Sequence, residues 1–387
     1  MTKILDGITV LDLTRVLAGP WCTQLLADYG AKVLKIESPD GGDDARKIPP
    51  FYPVEKDSGD APISAFFACC NRGKQSAIID IKTPAGQSQI RELVKTSDIF
   101  VENFKVGNLG RYGLDYESLC AINPALIYCS ITGYGQSGPM SSFPGYDLLF
   151  QGVSGAMSTC GLPDGVPGGG PMRTIVPYTD LMSGMFACNS ILAAIMHRKL
   201  TGEGQYIDVA LLDVAIASNA YVGGAYLATG KSQGRVGNSG VAASPSGVYP
   251  CADGWVIIQC NDLHWRLLCD RLNKAEWLSD PRFTTMHGRI AHAEAIDTLL
   301  TEATRAMPKA DVVALVATAG VPCVPVNTIA EAFAEPQVQH REMVTEMELS
   351  DGRTMTGVRH PVKFSKLQFN KSAPPLLGAN DRSANHG

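Results

Sequence analysis

An α/β fold built on a parallel sheet is predicted by three features of the first 140 residues. An apolar run from Ile8 to Leu13 leads through a Leu-Ala-Gly-Pro turn (17–20) and a helix-length stretch from Trp21 to Tyr29 to a second run, Lys32 to Glu37. The same order returns between Ser76 and Glu102, and a continuous apolar run follows from Leu126 to Thr132. Strand, short turn, helix with a glycine past its end (here Gly30) and strand again is the pattern of a parallel βαβ unit.

Each further element has its own signal. Ser76 to Ile81 reads as a strand. Thr83-Pro84 supplies a cap and a first-turn proline for a helix, and Asp98 to Glu102 is the next strand. The run to Thr132 ends in a loop from Gly133 to Gly145. A Gly/Pro-rich loop (161–171) precedes a helical stretch from Asp180 to His197, and Gln205 to Leu211 reads as a strand. Residues 230–247 are rich in Gly, Ser and Ala, the composition of a mobile loop or a boundary. Beyond them Gly254 to Gln259 reads as a strand and 262–320 as largely helical, with breaks at Asp280-Pro281 and Pro308. The expected division is a large domain over 1–200, a linker over 201–229, a small domain over 230–325, and a segment over 326–387 that returns to the large domain.

Composition excludes several function classes. The 387 residues are 45% hydrophobic and 18% charged, enough apolar material for a large core, with net charge −5. No global positive field therefore exists to hold nucleic acid or an anionic membrane. The chain start, MTKILDGITVLDL, reaches a patterned strand too soon for a signal peptide. No apolar run approaches the roughly 20 residues of a membrane span, so a cytoplasmic protein is expected. The eleven cysteines show no C-x-x-C pair, and the seven histidines no H-E-x-x-H, so no metal site is expected.

Gly133-Tyr-Gly135-Gln-Ser-Gly138 matches the glycine spacing of a dinucleotide site, but Pro139 and Pro144 follow where a helix would have to open. The first βαβ unit has Glu37 where a ribose-binding acid would stand, yet its turn has one glycine. A nicotinamide or flavin oxidoreductase is thus the weaker reading.

In order, the blocks LDGITVLDLTRVLAGP, GAKVLKIESPDGGDD, NRGKQSAIIDIKTPAG, VENFKVGNLGRYGLDYESL, NPALIYCSITGYGQSGP, PGYDLLFQGVSGAM, TDLMSG and TGEGQYIDVALLD resemble the family III CoA-transferases and the related 2-methylacyl-CoA racemases over nearly the whole chain. The resemblance leaves off after Gly378. It implies a large Rossmann-like parallel-sheet domain, a smaller α/β domain, and two subunits threaded through each other as an interlocked homodimer.

Thr179-Asp180-Leu-Met-Ser-Gly184 matches the block in which those transferases carry their nucleophile, which makes Asp180 the candidate acyl acceptor. From the residues alone, Asp180 reads first as a helix cap and second as a carboxylate kept ionised by the helix dipole and able to attack a thioester; the family match reverses that order. Tyr146 stands where the racemases have a proton-shuttling histidine, and an ordinary tyrosine is a poor base at neutral pH. Asp147 matches a supporting acidic residue, or caps the helix that follows it.

For CoA the resemblance implies Val16, Leu17, Ala18, Lys82, Asn103, Phe104, Arg111 and Leu211, with Lys82 and Arg111 suited to phosphates and Phe104 to stacking. Arg46 and Arg173 are candidate partners for the far carboxylate of a dicarboxylic acid. Leu17, Ser38, Ile48 and Thr132 depart from the formyl-CoA:oxalate enzymes, which disfavours formyl-CoA as donor. A glycine-rich loop at 237–247 is expected either to close over the acyl group or to serve as a linker.

The expected reaction moves CoA from an acyl-CoA, succinyl-CoA by resemblance, to a short dicarboxylic acid. It proceeds through an anhydride and a thioester on Asp180, with CoA thioesters as substrates and no resident cofactor or metal. A 2-methylacyl-CoA racemase and a CoA-binding protein without catalysis are the other readings. Neither nucleic acid nor membrane is an expected partner.

Overall fold

The computed structural model of the protein describes residues 3–54, 61–367, 369 and 372–380. In chain order it holds β1 (Thr9–Asp12), α1 (Ala18–Asp28), β2 (Lys32–Glu37), β3 (Gln75–Ile78), α2 (Pro84–Val94), β4 (Ile99–Glu102) and β5 (Ile127–Thr132). There follow α3 (Asp147–Val153), α4 (Tyr178–Thr201), β6 (Gln205–Ala210), α5 (Leu211–Ser218) and α6 (Ala220–Thr229). The six strands form one sheet in the order β3-β2-β1-β4-β5-β6, and every neighbouring pair is parallel.

Helices cover both faces of this sheet, which is why its central strands read as unbroken apolar runs. Every residue of β4 and of β5 is buried. Successive side chains enter opposite cores: Val10, Ile99 and Val101 pack with α1 and α4, whereas Leu11 and Phe100 pack with Ile90 and Val94 of α2. The signals at Thr83-Pro84 work as read. Thr83 accepts the Gly86 amide and Pro84 is the first helical residue.

Two expectations need correction. The span 201–229 is no connection, because β6 pairs with β5 from Ile127–Gln205 to Thr132–Ala210, and Leu211, Val214 and Ala215 of α5 enter the core. The 24-residue α4 is long and apolar enough to cross a membrane, so one apolar segment does reach that length. Its buried side chains, among them Ala187, Cys188, Ile191 and Ile195, lie in the same core as α1.

Two compact units divide the chain: 1–156, 174–231 and 336–387 form the first, and 157–173 with 232–335 the second. In the first unit the C-terminal segment runs beside β3, where the Gly378 amide donates to Ser76 Oγ and Asn380 Oδ1 accepts the Ser76 amide. The tail from 381 onward lies outside the described residues.

The second unit has an antiparallel sheet of β7 (Ser246–Cys251), β8 (Gly254–Gln259) and β9 (Cys323–Pro325), with helices packed on Tyr249, Val256 and Ile258. The glycine-rich loop belongs to this unit. Ser239 donates to Asp297, which also accepts from Tyr249, and the buried Arg289 donates to the Ser244 carbonyl.

Candidate active site

The strand order reverses between β1 and β4, and in open parallel sheets ligands bind at such a switch point, beyond the carboxyl ends of the strands. Here the two loops leaving those strands are fastened to each other. Asn103, the first residue after β4, accepts the Arg15 amide at 2.9 Å and donates to the Arg15 carbonyl at 2.7 Å. The next residue, Val16, has φ 69°, in the left-handed region that a β-branched residue enters only under constraint. Helix α1 starts two residues later without a side-chain cap, so its leading amides stand ready for a ligand.

Helix α4 brings the candidate nucleophile to this point. It begins at Tyr178, so Asp180 is its third residue and not its cap. Asp147 does the capping from a different helix: its Oδ2 accepts the amides of Thr179 at 2.9 Å and Asp180 at 3.3 Å, and its Oδ1 accepts from Gln151 at 2.5 Å. Asp147 is the first residue of α3 and makes no cap for that helix.

Gly184, one turn beyond Asp180, lies on the same helical face. A Cβ there would come within 2.6 Å of the Ala18 carbonyl oxygen and 3.1 Å of the Cys22 amide. Only a bare backbone lets α4 approach α1 this closely.

Burial first, and then the like charge of Asp147, pushes the Asp180 carboxyl up to about 7. The helix dipole expected to keep this carboxylate ionised is opposed here by burial and by the neighbouring charge. Near neutral pH the group is therefore divided between its acid and carboxylate forms.

Val16, Leu17, Ala18 and Leu211 line one cleft of about 280 Å³ with Asn103, Phe104, Tyr146 and Asp180. All belong to the first unit. An adjoining cleft of about 270 Å³ shares Arg15, Asp44 and Phe104 with it and extends to Lys82, which lies 3.8 Å from Asp40 and is mostly exposed. The two clefts meet at these three residues, and Lys47 and Lys82 are cations of the second one.

Other candidates lie elsewhere. Arg111 is exposed in the Leu109–Tyr112 turn and lines neither cleft. Arg46 is ruled out as a free carboxylate binder. Its guanidinium holds Glu37 through two 2.7 Å bonds, donates to the Pro375 carbonyl, and lies 3.7 Å from the centre of the Phe67 ring. Arg173 is exposed and belongs to the second unit.

Sequence reading missed Arg15 and Lys105, which line the cleft and carry its positive charge. Their signal was position, since each stands within three residues of the carboxyl end of β1 or β4. Thr132, noticed only as a departure, is 8% exposed, lines the cleft, and has a buried hydroxyl without a hydrogen-bond partner. The glycine pattern opens no helix before Asp147, and a Cβ on Gly133 would come within 2.9 Å of the Phe150 ring. That glycine serves packing.

Known proteins resemble the chain over nearly its whole length. A succinate–glutarate CoA-transferase of Agrobacterium fabrum is 44% identical, across 96% of this chain and 92% of that one. A succinyl-CoA:glutarate CoA-transferase of Mus musculus is 37% identical, across 98% and 85%. An acetyl-CoA:oxalate CoA-transferase of Acetobacter aceti is 38% identical, across 93% and 89%. The crystal structure of a CAIB/BAIF family protein from Brucella suis matches with a TM-score of 0.89 and 41% identity, covering 98% of this chain and 97% of that one. The sequence pattern of CoA-transferase family III fits residues 5–381, and on all these grounds the chain belongs to that family of enzymes.

Proposed function

We propose that the protein transfers CoA from succinyl-CoA to a short dicarboxylic acid, with Asp180 as the covalent acceptor. The observation that carries this reading is the placement of a half-buried carboxyl, raised to about 7, in one cleft with the uncapped start of α1. In the ionised form Asp180 attacks the thioester carbonyl, and the amides at the start of α1 are suited to stabilise the oxyanion that develops. Loss of the CoA thiolate leaves a mixed anhydride of Asp180 and succinate. The thiolate then attacks the Asp180 carbonyl, which expels succinate and forms an aspartyl-CoA thioester. The acceptor carboxylate attacks that thioester in turn, and the same steps run in reverse to release acyl-CoA and free Asp180. Each step exchanges one activated acyl bond for another.

The relatives whose names pair succinate or succinyl-CoA with glutarate, mesaconate or L-malate support the substrate class. Arg15, which lines both clefts, takes the place of Arg46 as the partner for a distal carboxylate; it pairs only loosely with Asp44, at 3.6 Å, with both side chains about half exposed or more. With succinyl-CoA and a panel of acids, glutarate and similar dicarboxylates are expected to give the highest kcat/KM. If acetate or butyrate outcompetes them, the substrate half of this reading is wrong. The racemase alternative is weaker, since Tyr146 is 71% exposed and offers no proton shuttle opposite Asp180.

The same reading makes the sheet domain Rossmann-like, which its 3-2-1-4-5-6 strand order supports, and the enzyme an interlocked homodimer. Helix α6, AYVGGAYLAT, is apolar on every side yet has no buried residue, with Tyr221 and Leu227 77% and 85% exposed. A helix apolar all round calls for a cover, and a second copy supplies it. Light scattering is expected to give twice the 41.3 kDa chain mass at every dilution short of unfolding, because linked chains cannot part while folded. A monomer at micromolar concentration would refute the assembly.

A further inference from the structure

The strained turn at the cleft stands on four buried charges that acyl transfer itself does not use. Parallel pairing sets Asp12 of β1 beside Lys35 of β2. Asp43 and Lys74 join them, and all four side chains are fully buried. Lys74 Nζ lies 2.9 Å from Asp12 Oδ2, and Lys35 Nζ lies 2.9 Å from Asp43 Oδ2. Burial alone would push both aspartates up, but the lysines hold Asp12 down at about 2 and Asp43 below the usual carboxylate range.

These charges converge on one stretch of backbone. Lys35 donates to the Thr14 carbonyl at 2.7 Å, Asp12 accepts the Thr14 amide at 2.9 Å, and Asp43 Oδ1 accepts the Val16 amide at 3.0 Å. Asp43 is itself held by the Ala45 amide, which donates to Oδ1 at 2.9 Å. Buried ion pairs are poor investments in stability, and apolar residues of the same volume often serve a core as well or better. A left-handed valine adds strain at the same place. Both costs fall on the residues that open α1 toward Asp180, which points to function.

We propose that the Lys35–Asp43 pair is a positioning device for acyl-CoA: it holds Val16 in its left-handed conformation and so aims the leading amides of α1 into the cleft. Lys35 and Asp43 are positioning residues that act through backbone, their side chains fully buried in the floor of the adjoining cleft. The inference rests on the transferase reading above, which places the thioester at the start of α1.

Asp43→Asn keeps the shape of the side chain and removes the ion pair. The expected result is a kcat/KM for succinyl-CoA lowered at least about tenfold, with kcat sharing the loss because misaimed amides no longer meet the oxyanion. Adding Val16→Gly should restore about threefold or more of that loss, because glycine takes a positive φ without the clamp. Val16→Pro forbids the left-handed conformation and also removes the amide that Asp43 accepts, so it should reproduce the fall in kcat/KM. It decides the matter should Asp43→Asn fail to fold. A folded Asp43→Asn enzyme with unchanged kcat/KM, a Val16→Gly change that restores nothing, or a Val16→Pro enzyme of wild-type kcat/KM each overturns the proposal. Titration of the wild-type protein with succinyl-CoA separates the two levels: no binding there sinks the functional reading, whereas wild-type binding with equal kcat/KM in wild type and variants sinks only this inference.

Discussion

Replacing Asp180 with asparagine is expected to lower turnover by roughly four orders of magnitude while the circular dichroism spectrum stays that of the wild type. The amide has the same shape but forms no anhydride, and Asp147 already caps the helix, so folding does not depend on the Asp180 carboxyl. Incubation with succinyl-CoA alone should leave a hydroxylamine-sensitive adduct on the wild-type peptide containing Asp180 and none on the variant.

The pH dependence follows from the same group. Asp180 attacks as the carboxylate, so kcat/KM for succinyl-CoA should rise with pH, bend near 7 and level off above about 8. Asp147→Asn removes the neighbouring like charge, keeps an acceptor for the two amides, and should move the bend toward acid. In stability the sign is reversed. The folded value of Asp180 lies above its unfolded value of 3.8, so the stability it contributes is complete below that value and is lost as pH rises through 7. Asp180→Asn should therefore stabilise the protein at pH 8 by on the order of 2 kcal/mol, a figure reduced from the full shift because the side chain is only partly withdrawn from solvent. A fully active variant, or an adduct on Asp147, would show that the nucleophile is another residue.

Gly184→Ala is expected to do damage where alanine normally helps. In an exposed helix interior the change is worth roughly 1 kcal/mol in favour of alanine. Here the new methyl group would meet the Ala18 carbonyl at 2.6 Å, and backbone cannot swing aside as a side chain can. Overpacking of this kind costs about 1–3 kcal/mol beyond the helix gain. Pushing α4 off α1 also moves Asp180 away from the leading amides of α1, so kcat should fall at least tenfold, since angstrom-scale misplacement of reacting groups costs about that much or more. Urea denaturation and initial rates measure the two effects. A rise in stability with kcat intact would mean that the helix contact is slack.

Where one residue's chemistry sufficed, the sequence was legible. The run Lys32 to Glu37 and the Thr83-Pro84 start became the expected elements because local propensity and tertiary context agree there. The Asp180 block was read as a nucleophile from a family pattern, and the structure explains the pattern's spacing: Asp180 and Gly184 share one helical face, one presented to the cleft and the other to a neighbouring backbone. Reading failed where a side chain's fate depends on distant partners. Arg46 looked like a free cation because Glu37 and Pro375, which occupy it, lie 9 and 329 residues away. Asp147 looked like a cap for its own helix because the amides it serves are more than 30 residues on.

From sequence alone came the α/β class, most strand positions, the family resemblance and the acid at position 180, all of them carried by short-range periodicity or by ordered motifs. Tertiary structure alone decided the state of that acid. Its carboxyl titrates near 7 because packing strips its water and sets Asp147 beside it, and both effects depend on distances through space that no spacing along the chain encodes. Tertiary structure likewise decided the shape of the turn at Val16, whose left-handed backbone no local propensity of valine would select and which the buried Asp43 and Lys35 hold from 19 or more residues away.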